Sequence, residues 1–232
     1  MLTIRRAGER GHAEHGWLES WHSFAFADYF DPAHLGFSAL RVINEDFVQP
    51  GQGFGTHPHR DMEILTWVLE GALQHQDSMG NGSVIRPGEM QYMSAGTGVT
   101  HSEFNASPSE RVHLLQIWIL PSVGGAPPRY GQKSFAAALA KGDLVPLATP
   151  DGQNGSIAIR QDARVLAARA DGDRELVHAP VPGRKAWIQV ARGSLRVNDL
   201  ALAAGDGLAA EGERKLSVQV ADGAELLLFD LP

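Results

Sequence analysis

Two short strings have the residue types and spacing for chemistry, His57-Pro58-His59 and His101-Ser102-Glu103. Successive side chains on a β-strand point to opposite faces, so residues two apart share a face and can meet one ion. Each string follows a glycine-rich run, Gly51-Gln52-Gly53-Phe54-Gly55 before the first and Gly96-Thr97-Gly98 before the second. If the two strands face each other across a barrel, the three imidazoles and one carboxylate converge. That set carries one negative charge and suits iron(II), manganese, nickel, copper or zinc, with coordination positions left open. Cysteine is absent, which removes disulfides, thiolate zinc sites, cysteine nucleophiles and iron–sulfur clusters. A metal in this chain must be held by nitrogen and oxygen.

Ten histidines in 232 residues make chance pairs common, so other candidates need weighing. Glu63 shares the strand parity of His57 and His59 and is a candidate fifth ligand or base, but strand rise alone puts it about 13 Å from His59. His75 and Asp77, beside the turn Met79-Gly80-Asn81-Gly82, are expected to be solvated or to buttress ligands rather than to bind metal. His113 begins an apolar strand and is expected to be a satisfied interior residue. His12, His15, His22, His34 and His178 lack a ligand-type partner at a useful spacing. Trp17, Trp21, Phe24, Phe26, Tyr29 and Phe30 form an aromatic segment, expected to pack in the core, with a substrate-pocket wall as the alternative. No substrate-binding residue is assigned.

The elements that must position these residues are strands. Short apolar runs bounded by Gly, Pro, Asn and Asp recur along the chain, among them Ser38 to Ile43, Ile64 to Leu69, Leu114 to Leu120, Ala186 to Ala191 and Leu226 to Phe229. The Ala-rich segment Phe135 to Lys141, ending before Gly142, predicts a short connecting helix. An internal repeat aligns His57-Pro58-His59 and Leu65 to Leu73 with Ala179-Pro180-Val181 and Trp187 to Leu195. Pro58 and Gly71 stay in register with Pro180 and Gly193, and Leu115 to Pro121 matches Leu226 to Pro232. Two copies of one β-unit imply two barrels or double-sheet sandwiches. The boundaries expected are 1–122 for the N-terminal metal-binding unit, 123–155 for a connector with a short helix, and 156–232 for the C-terminal unit. In the second copy Ala179, Val181 and the stretch Val218-Gln219-Val220 stand near the places of the histidines and Glu103, so that unit is expected to be metal-free and apolar inside.

Bulk composition agrees with an ordered protein: 43% of residues are hydrophobic and 20% charged. The formal net charge of -7, with acids and bases mixed along the chain, provides no basic face for direct nucleic-acid binding. No apolar stretch approaches the length of a membrane span and Met1 to Trp17 lacks a signal-like apolar run, so a cytoplasmic protein without membrane contact is expected.

At this point the residues resemble a known family. Gly51, His57-Pro58-His59, Glu63 and Gly71 resemble the first cupin motif, and Gly88, Gly96, His101 and Asn105 the second. Gly71 falls one residue late and His101 lies farther from Gly96 than the general cupin spacing, departures that resemble the pirin branch. The strings Gly16 to Phe24, Thr56 to Arg60, Gln76-Asp77-Ser78-Met79-Gly80-Asn81, Ser94 to Gly98 and His101 to Asn105 are similar to those of pirins, especially bacterial pirin-like quercetin 2,3-dioxygenases. The resemblance spans essentially the whole chain. It implies an all-β bicupin, two tandem double-stranded β-helix (jelly-roll) barrels joined by a short helical connector. It also implies one divalent metal, iron(II) first, held in the N-terminal barrel by His57, His59, His101 and Glu103, with Glu63 not coordinating. The implied activity is cleavage of the central ring of a flavonol with O2 and release of carbon monoxide; for that reaction Glu103 is the carboxylate expected to accept the proton. Eukaryotic pirins, regarded as iron-containing cofactors of transcriptional regulators, suggest a rival: a metal-containing redox sensor or partner-binding protein. A third reading, isomerisation or hydrolysis of another small molecule, stays open because fold does not fix chemistry. A cleft leading to the metal favours an enzyme, and a closed site the rival.

Overall fold

The computed structural model describes residues 1–232. Regular structure consists of twenty-two strands, one short helix and two 3-10 turns. In chain order the strands are β1 (Leu2–Arg5), β2 (Gly11–Glu14), β3 (Leu18–His22), β4 (Leu40–Val48), β5 (Gly53–His59), β6 (Glu63–Glu70), β7 (Leu73–Asp77), β8 (Gly82–Ile85), β9 (Glu89–Ser94), β10 (Val99–Asn105), β11 (Val112–Ile119) and β12 (Arg129–Ser134). After helix α1 (Ala136–Leu139) come β13 (Val145–Thr149), β14 (Ile157–Ala158), β15 (Arg164–Arg169), β16 (Arg174–His178), β17 (Lys185–Arg192), β18 (Ser194–Val197), β19 (Leu200–Ala203), β20 (Gly207–Glu211), β21 (Leu216–Val220) and β22 (Glu225–Leu231). No helix is long and apolar enough to cross a membrane. The Ala-rich segment yields only the single turn of α1, stopped at Gly142 with φ +75°.

Two compact units divide the chain: Gly11–Gly36 with Leu40–Ser134, and Met1–Arg10 with Phe37–Ala39 and Phe135–Pro232. The first holds a seven-stranded sheet, β12-β9-β6-β11-β4-β3-β2, and a four-stranded sheet, β5-β10-β7-β8. The second holds β1-β20-β17-β22-β15-β13-β14 and β16-β21-β18-β19. The two orders correspond position by position, β6 with β17, β11 with β22 and β10 with β21. The repeat in the sequence is therefore a repeat of topology, and the expected all-β, tandem double-sheet architecture is what the chain adopts. The edge place of β12 in the first unit is filled in the second by β1, which pairs with β20.

Glycines in register between the copies have one cause. Gly71 (φ +76°) and Gly193 (φ +67°) turn the chain after β6 and β17, and a Cβ there would meet Arg111 O at 2.9 Å or Ala224 Cα at 2.9 Å. Only a residue without a side chain combines that dihedral with so close an approach.

The strands of each unit present alternate apolar residues inward. In the first unit Leu18, Val48, Val68, Leu73, Ile85, Val112 and Leu114 form one core cluster and Ile64, Met93, Ala95 and Val99 another. Removing each large aliphatic side chain from water contributes about 1.5–3 kcal/mol before ordering costs. In the second unit Val218 and Val220 of β21 lie in the core with Leu176, Leu195 and Leu216. Ala179 and Val181 do not: they follow the end of β16, and Val181 is 58% exposed. The alignment through Pro58 and Pro180 matched a strand to a connection, because β16 is shorter than β5.

Candidate metal centre and its cavity

The four-stranded sheet of the first unit gathers the candidate ligands. β5 and β10 are hydrogen-bonded antiparallel neighbours with His57 opposite His101, so they do not face each other across a barrel as the sequence reading supposed. Directly opposed residues on adjacent strands have Cβ atoms about 4.5–5.5 Å apart, which brings the two rings together without help from elsewhere. His59, two residues on, shares the face of His57. The ring centroids lie 4.4 Å apart for His57 and His101 and 4.8 Å apart for His59 with either partner. Their candidate ligand nitrogens all fall within 4.8 Å of one another.

Glu103 joins through His101. A second group, His75, His101 and Glu103, also has its ligand atoms within 4.8 Å, because Glu103 of β10 lies opposite His75 of β7. A bulge between His101 and Glu103 shifts the register against β5, where Glu103 pairs with Phe54. Gly53 makes room beside it, since a Cβ there would sit 2.1 Å from the Glu103 carbonyl oxygen. Gln116 Nε2 donates to both Glu103 carboxylate oxygens at 3.2 and 3.0 Å, and Thr66 Oγ1 donates to Gln116 Oε1 at 3.0 Å.

Hydrogen bonds assign the imidazole tautomers. His57 Nδ1–H donates to the Gly55 carbonyl at 2.8 Å, leaving Nε2 with a lone pair. Asp77 Oδ2 accepts from His75 Nε2–H at 3.3 Å, so His75 Nδ1 is the acceptor for His101 Nδ1–H at 3.4 Å. That order leaves His101 Nε2 unprotonated, buried and without a hydrogen-bond partner in the protein. Asp77 is itself held by the backbone N–H groups of Met79 and Asn81 and by the Asn81 amide. Tyr130 stacks on His75 at 5.0 Å. His75 and Asp77 are thus interior groups that buttress His101, not solvated ones.

Burial sets the charge states. It pushes His59 down to about 4 and His101 down to about 2, with the neighbouring histidines adding to the effect. Both rings stay neutral and offer lone pairs across the physiological range. Burial raises the Glu103 carboxyl to about 7, opposed by its Gln116 hydrogen bond. Three convergent imidazoles, an orphaned buried nitrogen and a carboxyl that lacks a positive neighbour fit a divalent cation bound by nitrogen and oxygen.

A cavity of about 810 Å³ opens from this cluster, with His57, His59 and Glu103 in its wall. Trp17, Phe26, Tyr29, Phe54 and Trp118 line it, alongside the buried polar residues Ser20, His22, Asn44, Asp46 and Gln116. The aromatic N-terminal segment is therefore divided. Phe24 is core at 1% exposure, Trp17, Phe26 and Tyr29 form cavity wall, and Phe30 is 74% exposed. Trp118 links wall to cluster, its ring edge-on to His59 at 5.0 Å and to Phe26 at 5.4 Å.

Glu63 is elsewhere engaged: it is buried and accepts from Tyr92 Oη and Ser94 Oγ, each at 2.5 Å. His113 donates to Glu45 at 2.8 Å and stacks on Phe47, the satisfied interior residue its strand position suggested. Sequence reading passed over Asn44, Asp46 and Gln116. Their signal was a polar residue in a strand otherwise apolar, Asn44-Glu45-Asp46 within Leu40–Val48 and Gln116 within Val112–Ile119.

Comparison with known proteins adds a family and its members. The family described as Pirin matches residues 3–119, and the quercetinase C-terminal cupin domain matches residues 146–231. Quercetin 2,3-dioxygenase from Escherichia coli K12 is 50% identical over 232 residues, which is 100% of this chain and 99% of that protein. A pirin-like protein from Caulobacter vibrioides is 40% identical over 99% of both chains. The crystal structure of bacterial pirin YhhW from Escherichia coli in complex with nickel(II) superposes with a TM-score of 0.94 at 49% identity, covering 100% of this chain and 99% of that one.

Proposed function

The chain belongs to the pirin family, and on that premise we propose that it is a metal-dependent dioxygenase that opens the central ring of a flavonol such as quercetin. Both atoms of O2 enter the ring-opened product and carbon monoxide leaves. The observation that carries this reading is the aromatic-lined cavity of about 810 Å³ ending on the histidine cluster. A flavonol needs a cleft of roughly 300 Å³ or more, and the aromatic walls suit its flat rings. An open cavity of this size favours an enzyme over a sensor or partner-binding protein.

In this reading His57, His59, His101 and Glu103 hold one divalent ion, and the related protein's nickel complex supports such a site. The bound ion supplies positive charge that lowers the pKa of the flavonol 3-hydroxyl. Glu103 receives that proton, being the carboxyl in the cavity wall that adjoins the cluster. Gln116 holds the Glu103 carboxylate toward the cavity through both oxygens. Trp17, Phe54 and Trp118 exclude water from the reacting ring and fix its plane.

Anaerobic reconstitution with iron(II), manganese, nickel, copper or zinc, followed by quercetin and O2, tests the reading. Carbon monoxide forms in step with loss of flavonol absorbance, and both vanish in His57→Ala. Glu103→Gln retains measurable metal but loses turnover. Tight metal binding with no carbon monoxide under any of the five ions overturns the assignment.

A further inference from the structure

We propose that Asn44 and Asp46, side by side on one face of β4, form a subsite for a phenolic hydroxyl, so that the cavity selects polyhydroxylated flavonols. The inference rests on the flavonol reading above and names the substrate class within it. Both residues line the cavity and are 3% exposed, and neither is among the groups assigned to the metal or to proton transfer. On β3, Ser20 lies opposite Asp46 and His22 opposite Asn44. Ser20 Oγ–H donates to Asp46 Oδ1, and His22 Nδ1–H donates to Asn44 Oδ1 at 2.9 Å. These two bonds occupy one end of each β4 side chain. Asp46 Oδ2 remains an acceptor, and Asn44 Nδ2 a donor, with no partner in the protein.

Four other buried carboxylates in the chain are better provided. Glu63 takes two hydroxyls, Glu225 takes Arg169, Asp230 takes Arg184, and Asp206 takes Arg6 with two backbone N–H groups. Asp46 has one serine, and burial pushes its carboxyl up to about 7. A buried carboxyl with an open acceptor is costly unless a donor arrives. A phenolic hydroxyl satisfies both groups at once, donating to Asp46 and accepting from Asn44, while the aromatic walls hold its ring. A ligand without that hydroxyl leaves both unpaired, and sites built to bind a hydroxyl discriminate strongly against its absence.

The test is anaerobic titration of the nickel(II)-loaded protein with quercetin and with 3-hydroxyflavone, whose single hydroxyl is the one reserved for the metal centre. A hydrogen bond to a charged group predicts that wild type binds quercetin about tenfold to a hundredfold tighter. Asp46→Asn, which is nearly isosteric and keeps the Ser20 bond, lowers that ratio about tenfold, and so does Asn44→Leu. Equal affinities in wild type, or an unchanged ratio in a folded variant, overturn the subsite alone. Failure of wild type to bind either flavonol overturns the flavonol reading and the subsite with it.

Discussion

At the scale of single residues, the chemistry depends on which imidazole nitrogen keeps its lone pair. The chain Asp77–His75–His101 decides this for the buried member of the cluster, and the turn from Asp77 to Asn81 exists in this structure to aim one carboxylate oxygen at His75. Asp77→Asn keeps the turn's backbone bonds but removes the charged acceptor. Long-range proton–nitrogen NMR of the metal-free variant is expected to show His101 as a mixture of tautomers instead of the Nδ1–H form. Divalent-metal affinity, measured by chelator competition, is expected to fall about 10–100-fold. The convergence of the candidate ligands was legible in the sequence because two residues apart on a strand means the same face, whatever the rest of the fold does. For His75 and Asp77 the sequence left open whether they are solvated or buttress a ligand, because a histidine beside a glycine-rich turn is buried only if something such as Tyr130 packs over it. Asn44 and Asp46 were missed for a similar reason: polar residues in an apolar strand signal a site only once the face they point to is known.

At the scale of elements, the site is a property of one strand, β10, and its two neighbours. β5 supplies His57 and His59, β7 supplies His75, and β10 supplies His101 and Glu103. The sequence placed the two ligand strings on strands and left their separation open, and adjacency turns out to serve where opposition was expected. Close contact at the bulge depends on Gly53. A methyl group there would lie 2.5 Å from Phe104 Cα, whereas at Gly55 it would meet nothing within 4 Å. Gly53→Ala is therefore expected to force β5 away from β10, costing about 1–3 kcal/mol and parting His57 from His101. Thermal unfolding and metal stoichiometry check this together: Gly53→Ala loses on both, while Gly55→Ala unfolds at the wild-type temperature. Unchanged metal binding in Gly53→Ala would show that the bulge absorbs the strain.

At the scale of the whole molecule, one architecture is used twice and carries the candidate ligand cluster in one copy. In the second unit the strand matching β10 carries Leu216, Val218 and Val220 inward, and one of the buried carboxylates there is Asp230 of β22. Burial alone would raise that carboxyl, but the His178 imidazole 3.4 Å away and the Arg184 guanidinium that donates to it hold it below its ordinary value. A carboxyl with a depressed native pKa stabilises the fold above its unfolded value and ceases to do so as pH falls through the native one. Denaturant titrations are expected to show Asp230→Asn less stable than wild type at neutral pH, with the gap closing below about pH 4. A constant gap from neutral pH into acid would make the Asp230 role one of shape only. By itself the sequence determined the strand class, the internal duplication and which nitrogen and oxygen side chains are candidates for donors, because periodicity, glycine dihedrals and side-chain chemistry act over a few residues. Tertiary structure alone decided that β5 neighbours β10, that β1 pairs with β20 at the sheet edge, and that Trp17, Phe26, Tyr29, Trp118, Asn44 and Asp46 line one cavity. Those relations join residues far apart in the chain, and they arise from pairing and packing between strands that no local pattern encodes.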